Sequence, residues 1–212
     1  MTGTLWSLAL ALAIFIAVHM VPVVPGLRAA LINAWGNRVY RALFWILSLA
    51  DLVWIVFAHM DAPYVVLWDA PDWSRLIPLA AMPLVMILLA TMPTEGIKKV
   101  TRHPLLWAII LWATAHILPN GDAASLMLFA VFALYALIDQ PLADARTRRE
   151  EPESWVKISA ESSALPFLAA LQGRARPSLK EIGYPRIALA LVLYVVILFA
   201  HEHVIGLSPM PL

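Results

Sequence analysis

Long apolar runs, separated by shorter polar stretches, set the pattern of this chain. Six of them cover roughly Leu5–Val24, Ala42–Ala58, Leu76–Met92, Pro104–Leu118, Ala123–Ile138 and Ile187–Ile205. A helix needs roughly 17–25 apolar residues to cross hydrocarbon; most runs approach that length, and the fourth is short. No run alternates with a period of two, which argues against a membrane β-barrel. The pattern predicts an all-α, polytopic membrane protein, a single domain over residues 1–212 with six transmembrane helices in one bundle. The first run, MTGTLWSLALALAIFIAVH, lacks a positively charged start and a small-residue cleavage site, so an uncleaved first span is expected. The proline-rich VPVVPG and SPMPL are expected to end helices.

Composition agrees with the pattern. Of 212 residues, 62% are hydrophobic and 14% charged, and the mean hydropathy is +0.79. Soluble domains carry roughly 45–50% apolar and about 25% charged residues. There is no cysteine, which excludes disulfides, thiolate metal ligation and covalent haem attachment through Cys-x-x-Cys-His.

Charge placement orients the spans. Basic residues cluster after the first span (Arg28, Arg38, Arg41), between the third and fourth (Lys98, Lys99, Arg102), and between the fifth and sixth. With alternating spans, all but Arg75 of the 15 lysines and arginines fall on one side. The positive-inside rule makes that side cytoplasmic and puts both termini outside. Residues 139–185 then form the one long cytoplasmic loop. It opens on polar DARTRREEPES, contains SALPFLAALQG, and is expected to lie on the anionic leaflet as an interfacial tether.

Ionisable groups inside spans are rare and tend to face the protein interior. All six histidines lie within spans or near their ends, as do Asp51 and Asp139. Depth follows from counting residues to the flanking cytoplasmic arginine at about 1.5 Å each. His19 comes out about 13 Å deep, Asp51 about 15 Å, His116 about 21 Å and His201 about 22 Å. His59 and His103 sit at the outer and cytoplasmic edges. Three histidines and a carboxylate from four spans suit haem best, since an apolar macrocycle fits between helices and imidazoles bond its iron. Without cysteine such a haem is of b type. Zinc is weaker, because His201 and His203 point to different helix faces and HEHV is not HExxH. A proton relay or transport path on Asp51 and the histidines is a third reading.

IAVHMVPVVPGLR, VTRHPLLWAIILWATAHILPNGD, DARTRR, SALPFLAALQGR and YVVILFAHEHVIGLSPMP together resemble the NnrU family. That resemblance covers nearly the whole chain. It implies a bacterial inner-membrane protein associated with nitrite and nitric oxide reduction, with the lipid bilayer and components of nitrogen-oxide reductases as partners and no nucleic acid. The same family contains the 15-cis-zeta-carotene isomerases, membrane haem b enzymes that isomerise a polyene double bond. Carried over by position, the resemblance implies His19 and His116 as haem ligands. His59, His103 and His201 match further family histidines. Where the isomerases carry a histidine pair in the fifth span, this chain reads FALYALID, with Tyr135 near that site. By depth His116 and His201 nearly coincide while His19 and His116 differ by about 8 Å, which makes His201 the substitute partner. The expected function is haem b binding in denitrification. The alternatives are haem-dependent cis–trans isomerisation of a carotenoid-like polyene, and a haem-free transporter or assembly factor.

Overall fold

The computed structural model of the chain describes residues 3–210. Pro211 and Leu212, the end of SPMPL, lie outside the described residues, as do Met1 and Thr2. Among the described residues helix is the only extended secondary structure, apart from one isolated bridge between Val66 and Asp122.

Helix α1 (Leu5–Met20) starts where the Thr4 hydroxyl accepts the Ser7 N–H at 3.2 Å, and it stops as the chain enters VPVVPG. That is four residues short of the expected Leu5–Val24, because prolines 22 and 25 withhold the amides that further turns need. Pro25 instead opens α2 (Pro25–Asp61), where a missing N–H costs nothing. The run expected over Ala42–Ala58 is therefore only the second half of a longer helical segment. Gly36 interrupts it at φ 80° and ψ 153°, a backbone setting that favours glycine. A 3₁₀ turn (Asp72–Arg75) leads into α3 (Leu76–Thr91). Then come α4 (Glu95–Val100), α5 (Pro104–Asn120), α6 (Ala123–Glu150), α7 (Pro152–Glu161), α8 (Leu168–Leu171), α9 (Leu179–Ile182) and α10 (Tyr184–Ile205).

Four segments are long and apolar enough to cross a membrane: α2, the 3₁₀ turn with α3, α6 and α10; α1 and α5 are shorter apolar helices. At about 1.5 Å per residue, the 16 residues of α1 extend about 24 Å. Exposure is inverted relative to a soluble protein. On α2, Trp45, Ile46, Leu49 and Phe57 are each at least 60% exposed, whereas Asp51 is 5% exposed. Apolar groups outside and a carboxyl inside are what lipid as solvent selects. The chain is an all-α, polytopic membrane protein.

Two compact units form, Met1–Asp69 with Asn120–Val131, and Ala70–Pro119 with Phe132–Leu212. In the first, α1 packs on α2 with Leu8, Ala11 and Leu12 buried on one helix and Ile55 and Ala58 on the other. The segment after α2 is laced to the start of α6. Gly121 O accepts the Leu67 and Trp68 amides at 2.8 and 3.1 Å, and Val65 O accepts the Ala123 amide at 2.9 Å. In the second unit α10 packs on α3, where the Tyr194 hydroxyl donates to Leu79 O at 3.1 Å. Helix α4 packs on α8 and α9, with Ile97, Val100 and Ile182 forming a buried cluster and Gly96 against the backbone of Glu181 and Ile182.

The stretch expected as a 139–185 loop is largely helical. Helix α6 continues through Pro141 and DARTRRE to Glu150, well past the expected end at Ile138, because the run after Pro141 is built of residues that favour helix. Nor is the remainder a free tether. Phe167 N–H donates to Val100 O and Arg102 N–H to Ser163 O, each at 2.8 Å, and Ala164 O accepts both the Thr101 hydroxyl and the Trp107 indole. Arg174 Nη1 donates to the carbonyls of Ser159, Ala160 and Ser162, satisfying the open end of α7.

Candidate cofactor-binding histidines

Three of the histidines set Nδ1 against a backbone carbonyl. His19, in the last turn of α1, sets Nδ1 2.9 Å from Phe15 O, its ring tilted over Phe15 at 4.1 Å and meeting Phe44 edge-on at 5.6 Å. His116, in the last turns of α5, sets Nδ1 2.7 Å from Trp112 O, with the Trp112 ring 5.9 Å away and Phe132 edge-on to that indole. His201, one turn from the end of α10, sets Nδ1 2.8 Å from Leu207 O, across Gly206 in a left-handed C-cap. A carbonyl only accepts, so Nδ1 carries the proton in all three, and the neutral ring keeps its lone pair on Nε2. Metal-ligating histidines are held by this same outer bond, which fixes the ring and raises its basicity.

The edge histidines commit Nε2 instead. His59 Nε2 lies 3.3 Å from Ser125 Oγ, in a cluster where Asp122 caps α6 by accepting the Ser125 N–H at 2.9 Å. His103 Nε2 lies 2.9 Å from Asp144 Oδ1. His203 is exposed near the end of α10.

The structure thus places His19 in the first unit, and His116 and His201 in the second. Asp51 lies on the buried stripe of α2, within electrostatic range of His19, and Asp139 is half-buried in α6. Among the described residues no group of three or more His, Cys, Asp or Glu side chains converges. A zinc centre takes three or four protein ligands, whereas haem takes one or two imidazoles. The donor set at hand, single Nδ1-anchored histidines beside aromatic rings, fits haem.

Sequence reasoning missed Asp144 and Ser125 as partners of His103 and His59. Their separations of 41 and 66 residues leave no local signal. The carbonyl bonds of His19 and His116 go to backbone four residues earlier in the same helix, and backbone carries no sequence signal.

Asp144 also receives Arg102, whose Nε lies 3.3 Å from Oδ1 and whose guanidinium stacks 4.8 Å above the Trp155 ring. Burial pushes the His103 pKa below its ordinary 6.5, with Asp144 opposing that shift. The unfolded chain then binds the proton more readily than the folded one, so acidification below about 6.5 favours release of the docked segment, with no such effect above it. Amide exchange at Phe167 and Ala169, corrected for intrinsic rate, is expected to accelerate between about pH 7.5 and about pH 5.5. His103→Gln should remove that pH dependence.

Residues 7–209 match the NnrU protein family. A curated relative, the chloroplastic 15-cis-zeta-carotene isomerase of Zea mays, is 26% identical over 170 residues, covering 66% of this chain and 44% of the isomerase. The chain therefore spans less than half the length of that relative. No solved structure matches the chain. The family match includes all six histidines and every helix from α2 to α10, and the chain belongs to the NnrU family.

Proposed function

We propose that this protein binds haem b in a bacterial inner membrane through His19 and His116 and serves nitrogen-oxide metabolism, alongside components of the reductases. The observation that carries the reading is the Nδ1 bond of each histidine to the carbonyl four residues before it. Each bond puts the proton on Nδ1 and helps hold the ring in one orientation. Phe15 and Phe44 beside His19, and Trp112 beside His116, give both imidazoles an apolar surround. Haem b bound there would supply one-electron redox chemistry, with a potential set by its axial ligands and their burial. The basic clusters support cytoplasmic placement of the loops after odd-numbered spans, with both termini periplasmic. The association with denitrification rests on family membership.

The test is a visible spectrum of the detergent-purified protein, oxidised and reduced, after expression with adequate haem. A Soret band that shifts on reduction is expected, and its absence would leave the haem-free transporter or assembly role.

A second reading is haem-dependent isomerisation of a polyene. Similarity to a protein named as a 15-cis-zeta-carotene isomerase favours it. Incubating the haem-loaded protein with poly-cis carotene and resolving the isomers by chromatography decides it: an unchanged isomer ratio argues against this reading.

A further inference from the structure

The buried stripe of α2 carries a carboxyl whose place in the α1–α2 pair is unexplained. Both oxygens of Asp51 are buried and without a hydrogen-bond partner, and the residue is 5% exposed. Ser48, three residues earlier on the same side of α2, has its hydroxyl oxygen buried and unpartnered as well. Asp51 lines a groove of about 210 Å³ between α1 and α2, whose other walls are Ile14, Val18, Leu47, Ala50 and Trp54. Those walls are apolar, and the rim is open: Leu47 is 53% and Trp54 37% exposed on the lipid-facing side.

A buried polar group without a partner bears its full desolvation cost, so an orphan carboxyl lining a groove calls for an occupant. Water bound at the carboxyl would leave the apolar walls unfilled, since apolar cavities of this kind stay dry. A charged head fits poorly too, because apolar walls and a lipid-facing mouth would strip its hydration. One polar corner at the base of an otherwise apolar groove matches an amphiphile with a single small head.

We propose that this groove binds a membrane-dissolved apolar molecule through a terminal hydroxyl. The hydroxyl donates to an Asp51 oxygen, while the chain lies along Ile14, Val18 and Leu47. This goes beyond haem binding and does not depend on it.

The experiment uses the full chain in lipid nanodiscs and two photoreactive probes, a diazirine-bearing hexadecanol and the matching hexadecane, with labelled peptides read by mass spectrometry. The alcohol is expected to label the α1 and α2 walls about fivefold more than the alkane, the factor supplied by one net hydrogen bond. Asp51→Leu should bring that ratio to one, and Asp51→Asn should keep most of it. Equal labelling by the two probes in the unmodified protein overturns the proposal, as does an undiminished ratio in Asp51→Leu. Copies that crosslink to one another through α1 and α2, with no probe in the groove, also overturn it, because the occupant is then a second chain. Should Asp51→Leu fail to fold by circular dichroism, Leu47→Trp fills the groove from its rim. That variant should reduce alcohol labelling to the alkane level, and unchanged labelling overturns the proposal.

Discussion

His116→Ala is expected to abolish the low-spin haem spectrum of the purified protein, and His19→Ala to do the same. Loss of an outer bond to a ligating histidine already costs about 10–100-fold in metal affinity, and loss of the ligand itself costs at least that. The visible spectrum reads the result directly, as a lost or displaced Soret band at equal protein concentration. Imidazole added to either variant is expected to restore the band. Such rescue is the mark of a missing ligand, since a collapsed helix would not recover. The outer bonds give a milder companion effect: they come from the backbone at Phe15 and Trp112, so changing those side chains should loosen the ring surround and leave the ligand in place. His201→Ala separates the possible pairs. If it removes the band while His19→Ala leaves it, the ligands are His116 and His201, which lie in the same unit.

The second large effect is steric. A Cβ built on Gly96 would overlap the backbone of Glu181 and Ile182, so Gly96→Val should detach α9 from α4. Backbone cannot swing aside as a side chain can, and overpacking of this kind costs about 3 kcal/mol or more. Lys99, which reaches Glu181 at 2.7 Å across the same contact, will not hold it closed, because a solvent-exposed ion pair contributes little. The readout is a lowered unfolding temperature together with new proteolysis between Arg174 and Lys180. Gly26→Ala serves as the control: nothing lies within 4 Å of its Cβ position, and alanine should add up to about 1 kcal/mol of helix stability.

Hydropathy alone located the six apolar helices, because in lipid each must be apolar over most of its length. It erred wherever a helix continues beyond the hydrocarbon. Residues 25–41 hold three arginines and residues 139–150 both arginines and acids, yet both stretches are helical apart from the break at Gly36. The docking of Ser163–Ala169 was illegible for a different reason. It is made by main-chain carbonyls and amides of Val100, Ser163 and Ala164, and backbone groups are the same in every sequence. Of the candidate site, the depth of His19, His116 and His201 within apolar helices could be read, but the carbonyl anchoring of their rings could not. Which histidines spend Nε2 on long-range partners, as His59 and His103 do, could not be read, since Ser125 and Asp144 become neighbours only in the folded chain. Asp51 was legible as a buried acid. The want of a partner around it was not.

The lacing of Val65, Leu67 and Trp68 to Gly121 and Ala123 also bears on how the protein is made. Synthesis runs from the N-terminus, so the acceptor at Gly121 emerges only after α3, α4 and α5 have been produced. Until then the Leu67 amide lacks the Gly121 acceptor it has in the folded chain, and water can satisfy it. The first two helices are thus inserted early and fastened late. A nascent chain halted before Gly121 should carry this segment as an open, protease-sensitive loop, and release through residue 123 should close it.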